Sequence, residues 1–535
     1  MEKILSGIII ITCIFNAIAL ETVKGHVFID VNKNGVYDLD DTGLQGVLVS
    51  NGVDVVETNE NGRFKLKRVG HMPVFLIKPS GYQVTKSKDG QPLFYEEMTS
   101  KNNDELQFGL FKKEEDDKLK IALLGDTQPH NVDEVYYVLR SGIDELKREV
   151  YDFSITLGDV VSDNPVILPL IKQVIAASGR ASYFTFGNHD LNWEKLYTDG
   201  LENWDKDWIN AVGPTYYAMA WGKTNILNIN NINVKLKANN EYGYDYYMKN
   251  NQMLFIKNYL SHLDKNELLI ITSHCKPDQI VNDQEFYNLF KGFSKVLFTF
   301  GHHHRTENYK ITKEQGWPNE IPAHFICAGA ICGGHWRGEE DIFGIPSALM
   351  TDGSPKGYVF LDIAEGSYKL TYKASGMPDE KQMHIYTPDY LFYDTNFKPL
   401  DPTPNNSFYV NIYLGSEETK VEYRIDGGKW FPMQKVNEPD PYLKKIMMRQ
   451  KLGVYPTEGS RKLKREYDNM TKSSHLWKVS CPSNLTYGVH ELEVRFTDAY
   501  IKNSSEKHSF IYITPEMKEV NKKMNSHYKK WVSNE

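Results

Sequence analysis

Five short fragments carry the residues of this chain best suited to chemistry: Gly125-Asp126-Thr127-Gln128, Gly158-Asp159, Gly187-Asn188-His189-Asp190, Ser273-His274-Cys275 and Gly301-His302-His303-His304. They offer carboxylate, amide and imidazole groups, the oxygen and nitrogen donors that suit Zn, Mn or Fe. Two divalent cations about 3.5–4 Å apart can hold a phosphoryl oxygen and acidify a water molecule. Asp126, Gln128, Asp159, Asn188, His274, His302 and His304 are donors enough for such a pair. Singly, each fragment is weak. Gly-Asp is a common turn, a His after a strand is commonly hydrogen-bonded, and the His302–His304 tract alone could bind metal adventitiously. Their order is what carries weight, because each follows, directly or nearly so, a run of apolar and β-branched residues.

Those runs are the elements that must position the donors. Strands are predicted over 120–124, 153–157, 183–186, 226–229, 268–272 and 296–300, interleaved with helices over 132–150, 164–177, 249–263 and 283–293. Alternating strand and helix predicts an α/β domain, with its site beyond the carboxyl ends of the strands. Before it, short alternating runs over 25–29, 46–50, 53–57 and 62–66, separated by Gly and Asn turns, predict an all-β sandwich. After about Gly376, runs over 408–414, 420–425, 488–496 and 508–513 predict β structure again, with a connector over 401–406 and a terminal helix over 516–531. The expected organisation is a signal peptide over 1–19, an N-terminal β-sandwich over 20–115, a catalytic domain over 116–375 and a C-terminal Ig-like all-β domain over 376–535.

The ordered fragments resemble the signature of the calcineurin-like metallophosphoesterases: Asp-x-His, Gly-Asp, Gly-Asn-His-Asp or Glu, a lone His, then Gly-His-x-His. The resemblance covers about half the chain, and is closest to secreted bacterial members with extra β domains at both ends. It implies a β-sandwich core flanked by helices. It also implies one cation held by Asp126, Gln128, Asp159 and His304 and another by Asp159, Asn188, His274 and His302, with Asp159 bridging. Metal-bound hydroxide would attack phosphorus in line, His189 would protonate the leaving oxygen, and Asp190 would hold the imidazole of His189. Gln128 departs from the pattern, since the family usually has His there. Its neutral, harder oxygen predicts weaker binding at that corner and a shift toward Mn or Fe. His130 offers a substitute two residues on, but Pro129 redirects the chain.

Substrate contacts are expected from the glycine-rich stretch 329–338 and its surroundings. Trp336 would stack on a sugar or base, and Arg305, Arg337, His335 and Asp352 would line the pocket. In the N-terminal region, Asp30, Asn32, Asn34, Val36, Asp38 and Asp41 follow the ligand spacing of a calcium loop with Gly35 at its turn, without flanking helices.

Composition narrows the function classes. A formal net charge of -8 over 535 residues leaves no basic footprint for nucleic acid. Lys3, the apolar run 4–15 and the small residues Ala17 and Ala19 predict an export signal to the periplasm or cell surface, without lipidation at Cys13 and with no transmembrane segment after cleavage. The other four cysteines make no disulfide framework. The expected activity is a dinuclear metal-dependent phosphoesterase acting on a small-molecule, glycan or lipid phosphodiester. The alternatives are a phosphomonoesterase on sugar or nucleotide phosphates, and a surface binding protein with a decayed hydrolase core.

Overall fold

The computed structural model describes residues 22–87, 90–96, 105–116, 118–387, 407–451, 465–514, 516–517, 519–520 and 523–524. The expected signal peptide, Cys13 and the 401–406 connector lie outside the described residues, as does most of the expected terminal helix.

Eleven strands build the central domain: β1 (Lys118–Leu124), β2 (Phe153–Leu157), β3 (Ala181–Thr185), β4 (Tyr217–Trp221), β5 (Thr224–Asn228), β6 (Leu268–Thr272), β7 (Lys295–Phe300), β8 (Thr306–Ile311), β9 (Ala323–Ala328), β10 (Gly357–Ala364) and β11 (Ser367–Ala374). One sheet has the order β3-β2-β1-β10-β11 and the other β4-β5-β6-β7-β9-β8. The parallel sets β1–β2–β3 and β5–β6–β7–β9 make up most of the two sheets, and β2 and β6 at their centres are buried along their whole length. That is expected of strands covered on both faces. Both sheets feed one continuous core, bridged by the buried Asn228 amide, which donates to Thr185 of one sheet and to Thr272 (2.9 Å) of the other. The helix Leu168–Ala176 buries Leu168, Ile171 and Ile175, one stripe at helical spacing.

The predicted helix over 132–150 is interrupted. An α-helical segment, Val132–Val138, capped by Asn131, widens into a π turn over Leu139–Ile143, where Ser141 and Gly142 are buried. A side chain at Gly142 would crowd Ile331, so the small residue sets how closely this segment lies on the 329–338 loop.

The N-terminal region forms two small sheets, one centred on Thr22–Ile29 and Leu106–Lys112 and the other on Leu48–Ser50 and Val74–Leu76. Its Asp-rich loop closes on itself. Asp30 accepts from the amides of Asn34 (3.2 Å) and Gly35 (2.8 Å), Asp41 from those of Val31 (2.9 Å) and Asp38 (3.0 Å), and Asn32 donates to Asp38 (2.7 Å). Val36 uses its amide on Asn34 (2.7 Å). The C-terminal region holds two four-stranded sheets, but a helix over Pro441–Lys451 interrupts the expected all-β pattern.

Candidate metal centre and its surroundings

Every one of the five fragments leaves the carboxyl end of a parallel strand: Asp126 and Gln128 after β1, Asp159 after β2, Asn188 and His189 after β3, His274 after β6, His302 and His304 after β7. The sandwich brings the ends of both sheets to one rim. Close approach is built in at Gly187, where a Cβ would lie 2.0 Å from the Asp159 amide, and at Gly158, where it would strike the His274 ring at 2.4 Å.

The donors meet at short range. His274 Nε2 lies 3.1 Å from Asp159 Oδ1, 3.0 Å from Asn188 Oδ1 and 3.1 Å from His302 Nδ1. His304 Nε2 lies 3.6 Å from Asp126 Oδ1, and Gln128 Nε2 donates to Asp159 Oδ2 at 3.0 Å. Asp126, Asp159 and His274 converge tightly enough for one cation. The far nitrogens are fixed by other groups: His274 Nδ1 on the Leu157 carbonyl (2.8 Å), His304 Nδ1 on the Gly333 carbonyl, and His302 Nε2 on the Tyr246 hydroxyl (3.0 Å). Such partners hold a ring so that its free nitrogen points inward.

Burial and charge set an unusual protonation pattern. Asp126 is fully buried, which pushes its carboxyl up to about 7, opposed by His274 and reinforced by Asp159. Burial also raises Asp159, but His274 outweighs it and holds that carboxyl well below the usual range. Burial lowers His274, yet the Asp159 charge and hydrogen bond bring it up to about 9. Burial and the neighbouring His274 drive His302 down to about 3. Two buried carboxylates crowded against imidazoles and an amide, with no Lys or Arg between them, form a donor set that fits divalent cations.

Backbone strain points the same way. Asp126, Gln128, Asp159, His302 and His304, none of them glycine, all have φ between 40° and 71°. Left-handed backbone costs a non-glycine residue about 1 kcal/mol or more. The strain persists because the loops lock one another: Gln128 N donates to Asp159 O (2.9 Å), His302 N to Asp126 Oδ2 (2.9 Å) and His189 N to Asp159 Oδ1 (2.8 Å).

His189 stands at the mouth of the centre with its side chain 34% exposed, whereas His274 is sealed. Its Nδ1 lies 2.9 Å from Asp163 Oδ1. Burial lowers this imidazole, but Asp163 and Asp159 prevail and bring it to about 9. Asp190 does not serve His189. Its buried carboxylate accepts from the amides of Val161 (3.0 Å) and Gly187 (2.8 Å), so it shapes the turn that carries Asn188 and His189. Asp163 belongs to no predicted fragment, although it sits four residues after Asp159.

The expected substrate residues fare differently. Trp336 is 2% exposed and packs against Tyr137, so it cannot stack on a ligand. Asp352 is buried and receives Thr306 N (2.9 Å) and Ser354 N (2.9 Å) while contacting His475 Nε2 (2.9 Å), a brace between the post-His304 loop and the C-terminal region. Arg337 pairs with Asp468 (2.6 Å) and Arg305 with Glu307 (2.5 Å), so each guanidinium already has a carboxylate partner. His335 does join the centre, its ring stacked on His304 at 4.0 Å. Cys332 joins it too, with Sγ 3.6 Å from Gln128 Oε1 and 3.5 Å from His304 Nδ1. His130 turns away onto the Ser162 carbonyl (2.9 Å).

Three family models match the chain in order: the N terminal of calcineurin-like phosphoesterase over residues 31–113, calcineurin-like phosphoesterase over 119–306, and the C terminal of calcineurin-like phosphoesterase over 326–503. No curated protein matches the chain. Among solved structures it is similar to a purple acid phosphatase from yellow lupin (Lupinus luteus) seeds, at 13% identity over 66% of each chain with a TM-score of 0.34. It is also similar to Vps29 of Chaetomium thermophilum, at 10% identity over 48% of this chain and 89% of that one with a TM-score of 0.22. The match thus spans just under two thirds of the lupin protein's length. With its own N- and C-terminal extensions matched as well as its ligand-bearing core, the chain belongs to the calcineurin-like phosphoesterases.

Proposed function

We propose that the protein hydrolyses a phosphodiester at a dinuclear centre. Asp126, Gln128, Asp159 and His304 would hold one cation and Asp159, Asn188, His274 and His302 the other. Bound there, the cations would supply Lewis-acid charge neutralisation and lower the pKa of water. The observation that carries the reading is the meeting of these donors from two sheets beside an accessible His189.

The protein's own groups do the rest. Asp163 contacts His189 Nδ1 and fixes the ring, leaving Nε2 to deliver a proton to the departing oxygen. Asn188 and His274 are held by one contact, and the strained loops keep the donors converged without rearrangement. Gln128 presents its amide nitrogen, not its oxygen, to Asp159, so ligation through Oε1 requires a half-turn of the amide. A diester is favoured over a monoester because Arg305 and Arg337, the cations expected to meet a phosphate dianion, are paired with Glu307 and Asp468.

Metal analysis together with Mn-dependent assays on bis-p-nitrophenyl phosphate and p-nitrophenyl phosphate tests the proposal. We expect two metals per chain and faster turnover of the diester. Preference for the monoester would favour phosphomonoesterase chemistry, and full metal occupancy without turnover of either would favour a binding role.

Two further parts of the reading rest on sequence. Export is proposed from the apolar run after Lys3; among the described residues no helix is long and apolar enough to cross a membrane. Calcium in the 30–41 loop is proposed from the clustering of Asp30, Asn32, Asn34, Asp38 and Asp41. A melting temperature unmoved by calcium would rule it out.

A further inference from the structure

Beside the centre, the hairpin of Ile232–Leu236 and Tyr242–Tyr246 and the residue Trp193 enclose an open groove of about 510 Å³. That is within the range of small-ligand sites. Tyr242, Tyr244 and Tyr246 alternate along one strand, so their rings fall on one face of the hairpin. All three are half-buried, as is Trp193, and Lys237 and Gln279 add polar atoms to the groove's exposed rim.

Two hydrogen bonds tie this aromatic wall to the chemistry. Trp193 Nε1 donates to Asp163 Oδ1 (3.0 Å), the oxygen that contacts His189 Nδ1. The Tyr246 hydroxyl meets His302 Nε2 at 3.0 Å. The groove is therefore one side chain away from both the proton donor and a candidate ligand. Hydrolysis of a diester breaks the phosphorus–oxygen bond to one alcohol, whose oxygen takes a proton while water contributes its hydroxyl to phosphorus. The alcohol that leaves must lie on the His189 side, the side on which the groove wall Trp193 holds Asp163.

We propose that this groove binds the leaving alcohol and that the alcohol carries a hydroxyl-bearing ring, a sugar or an aryl group, stacked on Tyr242 and Tyr244. Flat aromatic faces with polar atoms at the rim suit a ring presenting C–H or π faces and hydroxyl edges. An extended acyl chain would instead call for aliphatic walls. The proposal rests on the phosphoesterase reading and names its substrate class.

The test uses the full-length, metal-loaded protein, its Tyr242→Ala and Tyr244→Ala variants, and Tyr244→Phe, which keeps the ring. None of these side chains touches the centre. Saturation-transfer NMR with methyl α-glucopyranoside, p-nitrophenol and glycerol should show transfer to at least one ring probe and none to glycerol. The stronger ring probe identifies the class. With bis-p-nitrophenyl phosphate, Tyr244→Ala should raise KM about fivefold to tenfold, as loss of one aromatic contact implies, and Tyr244→Phe should restore it. Ring probes no better than glycerol, or an unchanged KM in both alanine variants of a folded, active protein, would overturn the proposal. Ring binding in a preparation without turnover would overturn the phosphoesterase reading and leave the ring site standing.

Discussion

Asp163 Oδ1 lies 2.9 Å from His189 Nδ1, and the Trp193 indole donates to the same carboxylate oxygen. The carboxylate is thereby fixed from one side while it fixes the imidazole on the other. A carboxylate at this distance raises the basicity of the ring. Asp163→Asn should lower kcat about 10–100-fold at unchanged metal content. A protonated His189 is the active form, so activity is kept below its pKa of about 9 and lost above it. The variant should move that alkaline limb to lower pH. A pH–rate profile that keeps its alkaline limb in place would remove Asp163 from this role.

Protein stripped with a chelator should lose stability as pH rises from about 6.5 to 9. His189 and His274 are both raised from 6.5 to about 9, so their contributions are complete below 6.5 and vanish as pH climbs through 9. Asp126, raised from 3.8 to about 7, has a loss of the same sign that runs between those two values and is nearly complete by pH 7. His302 and His335, lowered to about 3 and about 4, act oppositely, but only below 6.5. Melting temperatures in this window, with and without Mn, provide the check. Cation binding favours the deprotonated donors, so the loaded protein should lose less. A stripped protein that gains stability toward pH 9 would contradict the pattern.

Gln128→His should tighten metal binding at the corner shared with Asp126, Asp159 and His304, on the order of tenfold. An imidazole is a stronger donor toward Zn than an amide oxygen, and it needs no half-turn to present a lone pair. Competition with a chromophoric chelator measures this directly. Equal affinity in both proteins would mean that Gln128 is not a ligand.

Asp352→Ala should destabilise the fold by about 3–5 kcal/mol, because several buried groups are left without their hydrogen-bond partner at once. The Thr306 and Ser354 amides and His475 would lose their acceptor together. Chemical denaturation would show the loss, with KM for any ester nearly unmoved. A raised KM at wild-type stability would return Asp352 to the substrate pocket.

Much of the centre is legible because one local rule repeats: an apolar strand, a glycine, then a donor. β2 and β6 are predicted to the residue, since strands buried on both faces are rich in apolar and β-branched residues. Edge strands escape that rule. β8, Thr-Glu-Asn-Tyr-Lys-Ile, carries more polar than apolar residues although it is largely buried, and such a run resembles a loop in sequence. β9, β10 and β11 also go unpredicted, because no donor of the centre follows to mark their ends. Direction is the other hidden variable. The residue type of Trp336 suits stacking, but only the packing against Tyr137 shows it turned inward. The pairing of His189 with Asp163, not with the adjacent Asp190, depends on how two loops cross.

β9 lies between β7 and β8, and β10 pairs with β1. β10 and the end of β9 belong to the stretch matched by the C-terminal family model, which begins at residue 326, whereas the central model ends at 306. The loop that fixes His304 through Gly333 falls in that stretch as well. Cutting the chain between the two would therefore strand the hydrolase with two unfinished sheets and an unsupported histidine. The C-terminal segment is thus structural material of the central sheets, and the two have to be expressed and engineered together.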